Sequence, residues 1–213
     1  MQLLARKLSR FLAENANNSS YHEDEIRYGI EIFAGALLQI LIILAIALLL
    51  GIGREVMAIM VSSVVYRRYT DGPHCQSYYR CTIVSIVNLI LLGYISQYIP
   101  ANFLPFYLIG LAIFSVLIIH YYVPANNHIN PITDELIRKK RRQKSYGTVF
   151  FFLLFTICIS YIGGEKLVPI GLLLGLFWQN ILLLPGGQSY INLWDQFFDK
   201  VEKLLKAKEV LKC

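Results

Sequence analysis

At 213 residues the chain fits one domain, but 56% hydrophobic residues, 16% charged residues and a mean hydropathy of +0.51 exclude an ordinary soluble globule. A net charge of +6 and a pI near 9.1 would suit nucleic acid on a soluble domain. Here the basic residues instead form short clusters beside apolar stretches, as in proteins oriented by their charges in a bilayer, so lipid and not nucleic acid is the expected partner.

Residues 2–14 place Leu4, Leu8, Phe11 and Leu12 at helical spacing opposite Arg6, Lys7 and Arg10, the pattern of an amphipathic helix lying in the membrane surface. The opening segment has no long apolar stretch followed by a small-residue cleavage site, so no signal peptide is expected. Six apolar spans follow, at about 30–50, 56–66, 81–99, 103–123, 147–162 and 167–184. Crossing the bilayer takes roughly 20 apolar residues as helix. The second span, about 11 residues and roughly 16 Å long, falls short: either its helix starts near Gly51 in a thinned or protein-lined region or it is re-entrant. Beyond the last span, Ile191, Trp194, Phe197, Phe198, Val201, Leu204 and Leu205 recur at helical spacing between lysines, predicting a second amphipathic helix.

The expected fold class is therefore all-α, a polytopic helical membrane protein with about six transmembrane helices and amphipathic helices at both termini. One integral-membrane domain covers 1–213, with an amphipathic segment 1–29, a transmembrane core 30–184 and an amphipathic segment 185–213. Arg67, Arg68 and Arg80 bracket one loop, and Arg138, Lys139, Lys140, Arg141, Arg142 and Lys144 fill another. The opposite loops carry only Arg54 and Lys166, so both basic loops and both termini are expected on the cytoplasmic side of the cell membrane.

Polar, ionisable and turn-forming residues gather beside apolar spans in 67–81, RRYTDGPHCQSYYRC. Asp71, Gly72 and Pro73 mark a turn with His74 next to it. Ser77 is a good N-cap, so a helix starting there carries Cys81 near its first turn, where the helix dipole and a neighbouring imidazolium favour a thiolate. On one unbroken helix His74 and Cys81 would lie about 10 Å apart along the axis. A dyad thus requires the chain to leave helix between them, before Ser77. Cys75, Cys81, Cys158 and Cys213 match neither a disulfide framework nor a paired CxxC site. His74, Cys75 and Cys81 lack a fourth ligand and zinc spacing, so no metal or other cofactor is expected. Cys158 and Cys213 read as small hydrophobes, and His22, His120 and His128 as interfacial residues.

The segment 67–81 resembles the AgrB proteins of Gram-positive quorum sensing, with Arg67, Gly72, His74 and Cys81 on the family pattern and Ser77 at a commonly retained position. Residues 122–142, YVPANNHINPITDELIRKKRR, resemble the family's Tyr-x-Pro-Ala element followed by a proline and a basic run. Length and number of spans agree, so the similarity covers nearly the whole chain. One departure is Asp71, where many members carry a second glycine; Asp71 is a candidate to orient His74.

The resemblance implies a membrane cysteine endopeptidase, with Cys81 as nucleophile and His74 as its base, that removes the C-terminal tail of a small AgrD-type precursor. The acyl group passes to a thiol or hydroxyl within the peptide, closing a thiolactone or lactone ring. It also implies a homodimer and a precursor with an acidic tail, for which Arg67, Arg68, Arg80 and the 138–144 run are candidate contacts. The competing readings are a small transporter, suggested by Glu31, Gln39, Asn88, Gln179 and Asn180 in or near the spans, and a non-catalytic scaffold for peptide export.

Overall fold

The computed structural model describes residues 23–125, 134–163 and 166–210. The amphipathic segment expected at 2–14, together with His22, His128 and Cys213, lies outside them. Seven α-helices are described: α1 (Glu23–Leu49), α2 (Gly53–Thr70), α3 (Tyr78–Ser96), α4 (Leu104–Tyr122), α5 (Glu135–Ile162), α6 (Leu167–Leu183) and α7 (Pro185–Val210). A short 3-10 turn, Ala101–Phe103, precedes α4.

Each of the six expected spans falls in its own helix, α1 to α6. Four helical stretches are long and apolar enough to cross a membrane unaided: Ile26–Leu49, Tyr78–Ser96, Ala101–Tyr122 and Glu135–Ile162. The bent pair α6 and α7 raises the number to five when counted as one broken span. These helices fit a multi-pass membrane protein. The chain forms two compact units, 1–46 and 47–213; most of α1 belongs to the first.

Within the second unit α6 is the central helix, packing against α2, α3, α4, α5 and α7. Its inward residues include Ile170, Leu172, Leu173, Leu176, Gln179 and Asn180. Close approach to α2 follows from small residues on both helices. Gly171 and Gly175 form a G-x-x-x-G pair on α6, and a Cβ on Gly175 would collide with the Ser62 hydroxyl and the Ile59 carbonyl of α2. Such pairs let helix backbones meet where lipid gives no hydrophobic drive. The Ser62 hydroxyl stays satisfied by bonding to Ala58 O (3.1 Å) or Ile59 O (3.2 Å).

This interface resolves the length problem of the second span. The helix begins at Gly53 and runs 18 residues, about 27 Å, with Val56, Ile59, Ser62 and Tyr66 fully buried in the protein. Glu55 is buried with them, while Arg54, Arg67 and Arg68, which also lower the helix's hydropathy, stand in its first and last turns.

Buried polar groups in the bundle satisfy one another. Tyr66 Oη donates to Asn180 Oδ1 (2.9 Å), and Asn180 Nδ2 donates to Ser115 Oγ (2.7 Å), tying α2, α6 and α4 together. Tyr190 Oη of α7 donates to Asn88 Oδ1 of α3 (2.6 Å). At Leu184–Pro185 the chain turns by 87° into α7, since proline cannot extend the preceding helix and restricts the residue before it. Helix α7 buries Ile191 and Asp195 and exposes Leu193, Phe197, Leu204 and Leu205.

Candidate active site

Helix α2 ends at Thr70 and α3 starts at Tyr78, so the chain leaves helix between His74 and Cys81, as a dyad requires. Asp71 initiates the break. Its φ of 62° and ψ of −158° lie in a region that glycine enters without penalty and that residues with a Cβ rarely adopt. A glycine fits this position for the same reason. The Asp71 side chain caps its own turn by accepting the Gly72 N–H at 2.9 Å.

Three anchors hold the turn from beneath. Gln179 Nε2 of α6 donates to Asp71 O (2.8 Å) and to Thr70 Oγ1 (3.0 Å). Arg67 Nη2 donates to Pro73 O (2.5 Å). Gly72 is buried between these groups: a Cβ there would lie 3.4 Å from both Arg67 Cζ and Gln179 Nε2. A fourth anchor secures the far end, where the Asp195 carboxylate of α7 accepts the Gln76 N–H at 3.1 Å. Ser77 occupies the N-cap of α3 in extended conformation without a capping bond from its hydroxyl; its carbonyl accepts the Cys81 N–H at 3.1 Å.

The turn thereby folds His74 and Cys75 back over the first turn of α3. The His74 imidazole and the Cys81 thiol lie close enough to interact. Behind the imidazole, Asp71 Oδ1 stands 3.6 Å from His74 Nε2. The Asp71 carboxylate first and Cys81 second push the His74 pKa up to about 9, against partial burial and the Arg67 guanidinium. Asp71 is in turn held below the usual carboxylate range, chiefly by His74 and then by the Gly72 N–H. His74 is therefore an imidazolium at neutral pH, poised beside the thiol with a carboxylate at its back. His74 is half exposed, and Cys81 and Cys75 are partly buried, so a substrate can reach the pair.

The two sequence elements that carry the family resemblance meet here. Ala125 N, of the Tyr-Val-Pro-Ala element, donates to Thr70 O (3.0 Å). Arg142 Nε donates to Val123 O (3.2 Å), and Arg141 Nη1 lies 3.9 Å from Asp71 Oδ2. Lys144 stands over the Tyr69 ring at 5.6 Å. Arg68, Arg138, Lys139 and Lys140 are exposed.

Arg80 has a different environment. It is 5% exposed and points to α7, with Nη1 3.4 Å from Asp195 Oδ1 and Nη2 2.7 Å from Asp199 Oδ1 and 2.8 Å from Glu202 Oε1. Its Nε donates to Tyr79 Oη (3.0 Å), which itself bonds to Glu202, and its guanidinium rests against the Phe198 ring at 5.8 Å. Arg80 thus joins the Cys81-bearing first turn of α3 to α7. The sequence reading did not single out Asp195, Asp199 or Glu202; their only signal is helical spacing on the same side as Ile191.

Among the described residues, no group of three or more His, Cys, Asp or Glu is placed to hold a metal ion. An apolar groove of about 510 Å³ lies between α3, α4 and α6, lined by Ile95, Tyr107, Leu173 and Phe177 among others. Ile95 is 14 residues beyond Cys81 on α3, about 21 Å along the helix, so this groove is separate from the dyad.

A family model described as accessory gene regulator B matches residues 5–183. A protein named AgrB-like from Clostridium perfringens strain SM101 is 26% identical over 215 residues, covering 93% of this chain and 100% of the relative. An AgrB-like protein of Listeria innocua is 26% identical, covering 69% of this chain and 71% of its own. Accessory gene regulator protein B of Staphylococcus aureus strain RF122 is 28% identical, covering 76% and 82%. No solved structure matches the chain. With a family model spanning the described site and most of the helices, the chain belongs to the accessory gene regulator B family.

Proposed function

We propose that this protein is a membrane cysteine endopeptidase and acyltransferase of quorum sensing, acting on a small AgrD-type precursor. The observation that carries the reading is the return of the 71–77 turn, which brings the His74 imidazole to the Cys81 thiol with Asp71 behind it. A nucleophile, a base and a third group orienting the base is the usual constellation of thiol acyl transfer.

In the proposed reaction the Cys81 thiolate attacks the carbonyl carbon of the scissile peptide bond. His74 donates its proton to the departing amine, the C–N bond breaks, and the tail leaves as a free amine. The remaining fragment is a thioester on Cys81. A thiol or hydroxyl within that fragment then gives its proton to His74 and attacks the thioester carbonyl, closing the ring and releasing Cys81 as thiolate. Exchange of one thioester for another is nearly balanced, whereas water would discharge the intermediate irreversibly. A site at the membrane edge helps to keep water out.

The precursor's acidic tail is assigned to the exposed Arg68, Arg138, Lys139 and Lys140, which attract an anion by their summed field. Arg67 and Gly72 shape the turn, and Arg80 acts through α7. The same reading makes 1–213 one peptidase domain, working as a homodimer with the dyad and both termini on the cytoplasmic side. Against a transport pathway, Gln179, Asn180 and Asn88 are hydrogen-bonded to neighbouring helices or to the Asp71 turn, which gives them a structural role.

Coexpression with the precursor tests the proposal. Cys81→Ala and His74→Ala should each abolish loss of the tail while the protein still inserts, and Cys75→Ala should process normally. Unchanged processing by the first two variants would leave a transporter or scaffold as the better reading.

A further inference from the structure

Cys75 lies five residues short of Arg80 and six short of Cys81, on the opposite side of the Gln76–Ser77 corner. The fold nevertheless returns it to the nucleophile: the two thiols lie close enough to interact, and the Cys75 backbone N–H lies beside the Cys81 sulfur. The corner is pinned by Asp195 on the Gln76 N–H and by Arg67 on the Pro73 carbonyl, so the approach does not depend on a freely moving loop. Both cysteines are free and partly buried, and the half-exposed His74 opens the pair to small solutes. The cleavage reaction as proposed has no use for the Cys75 side chain.

We propose that Cys75 is the resolving thiol of a reversible, peroxide-driven disulfide with Cys81 that switches the enzyme off. This rests on the reading of Cys81 as an activated thiolate. In the first step the Cys81 thiolate attacks one oxygen of hydrogen peroxide, the O–O bond breaks, Cys81 keeps that OH as a sulfenic acid, and the departing hydroxide takes the proton of the His74 imidazolium and leaves as water. In the second the Cys75 sulfur attacks the Cys81 sulfur, the S–O bond breaks, and the Cys75 proton leaves with the hydroxide as a second water. Two thiols lose two electrons and the peroxide gains them. The roles are fixed by environment: burial and the neighbouring Cys81 push the Cys75 pKa up to about 12, so Cys75 stays protonated and Cys81 meets the oxidant first. A resolving thiol in contact protects the nucleophile from further, irreversible oxidation.

The test treats the full-length protein in proteoliposomes with hydrogen peroxide, blocks remaining thiols with N-ethylmaleimide, denatures it and digests with trypsin. Cleavage after Arg80 places Cys75 and Cys81 on separate peptides, so only a disulfide joins them. Wild type should yield the joined peptides and lose more than tenfold of its precursor cleavage, with recovery on adding dithiothreitol. Cys75→Ala should cleave normally before oxidation, yield no joined peptides, and fail to recover because Cys81 has passed to sulfinic or sulfonic acid. Over-oxidised Cys81 without joined peptides in wild type would overturn the switch, as would equal recovery of both proteins. A Cys81→Ala control separates the two claims: loss of cleavage in it with no joined peptides in wild type refutes the switch alone, whereas retained cleavage overturns the nucleophile reading and the switch together.

Discussion

His74 Nε2 lies 3.6 Å from Asp71 Oδ1, and this pairing sets the charge of the imidazole beside Cys81. With the folded His74 pKa up at about 9 against 6.5 ordinarily, the pairing stabilises the fold fully below pH 6.5 and loses that contribution as pH rises through about 9. Asp71, whose pKa is lowered in the fold, contributes above its ordinary 3.8 and loses its contribution as pH falls through the lowered value. Cleavage by a thiolate–imidazolium pair should therefore have an alkaline limb near pH 9.

Asp71→Gly is the clean variant for this relationship, because a φ of 62° suits glycine. It removes the largest cause of the raised pKa while keeping the turn. The alkaline limb of kcat/KM should move down toward the ordinary histidine range, and Tm should fall at neutral pH, where the pairing stabilises the fold, and less above pH 9, where it no longer does. An unmoved limb would show that Asp71 does not set the protonation of His74.

Arg80 should act through position. Arg80→Met releases Asp195, Asp199 and Glu202 of α7 and frees the first turn of α3, where a displacement near 1 Å can cost about 100-fold in rate. The predicted result is a fall in kcat with a smaller change in KM. Asp199→Asn, at a half-exposed carboxylate, should cost far less. A loss confined to KM would instead assign Arg80 to substrate binding.

Gln179→Leu removes both amide bonds beneath the turn. Loss of buried partners of this kind costs about 1–3 kcal/mol, visible as a lowered Tm. Cleavage should fall as well, because the Asp71 carbonyl loses its strongest tether. Full activity would show that Arg67 and Thr70 hold the turn unaided.

Gly175→Ala tests the close contact of α2 with α6. Its Cβ would meet the Ile59 backbone carbonyl, which cannot rotate aside, so a cost of about 3 kcal/mol, at the upper end of overpacking, is expected. Gly110→Ala, where a Cβ meets nothing within 4 Å, is the matched control and should leave Tm nearly unchanged.

Much of the site was legible because its signals are local. Asp71, Gly72 and Pro73 stop one helix, Ser77 begins the next, and the seven-residue separation of His74 from Cys81 demands the break that the fold provides. The spans were legible from hydropathy, except that α2 owes its place to small residues on α6, which an apolar run does not reveal. The role of α7 was hidden because its lysines dominate the pattern. Asp195, Asp199 and Glu202 acquire meaning only once the 87° bend carries them to Arg80. Likewise Gln179 and Asn180 read equally as pathway or as glue until their partners on α2 and α4 were seen.

The central claim is that Cys81 carries the acyl group. The most direct measurement supplies the protein with a precursor whose internal acceptor thiol or hydroxyl has been removed, quenches the reaction in acid, and maps the adduct by mass spectrometry. The account predicts the precursor's N-terminal fragment on Cys81 as a hydroxylamine-labile thioester, absent from Cys81→Ala and retained in Cys75→Ala. Tail loss with an unmodified Cys81, or with the fragment on another residue, would contradict it.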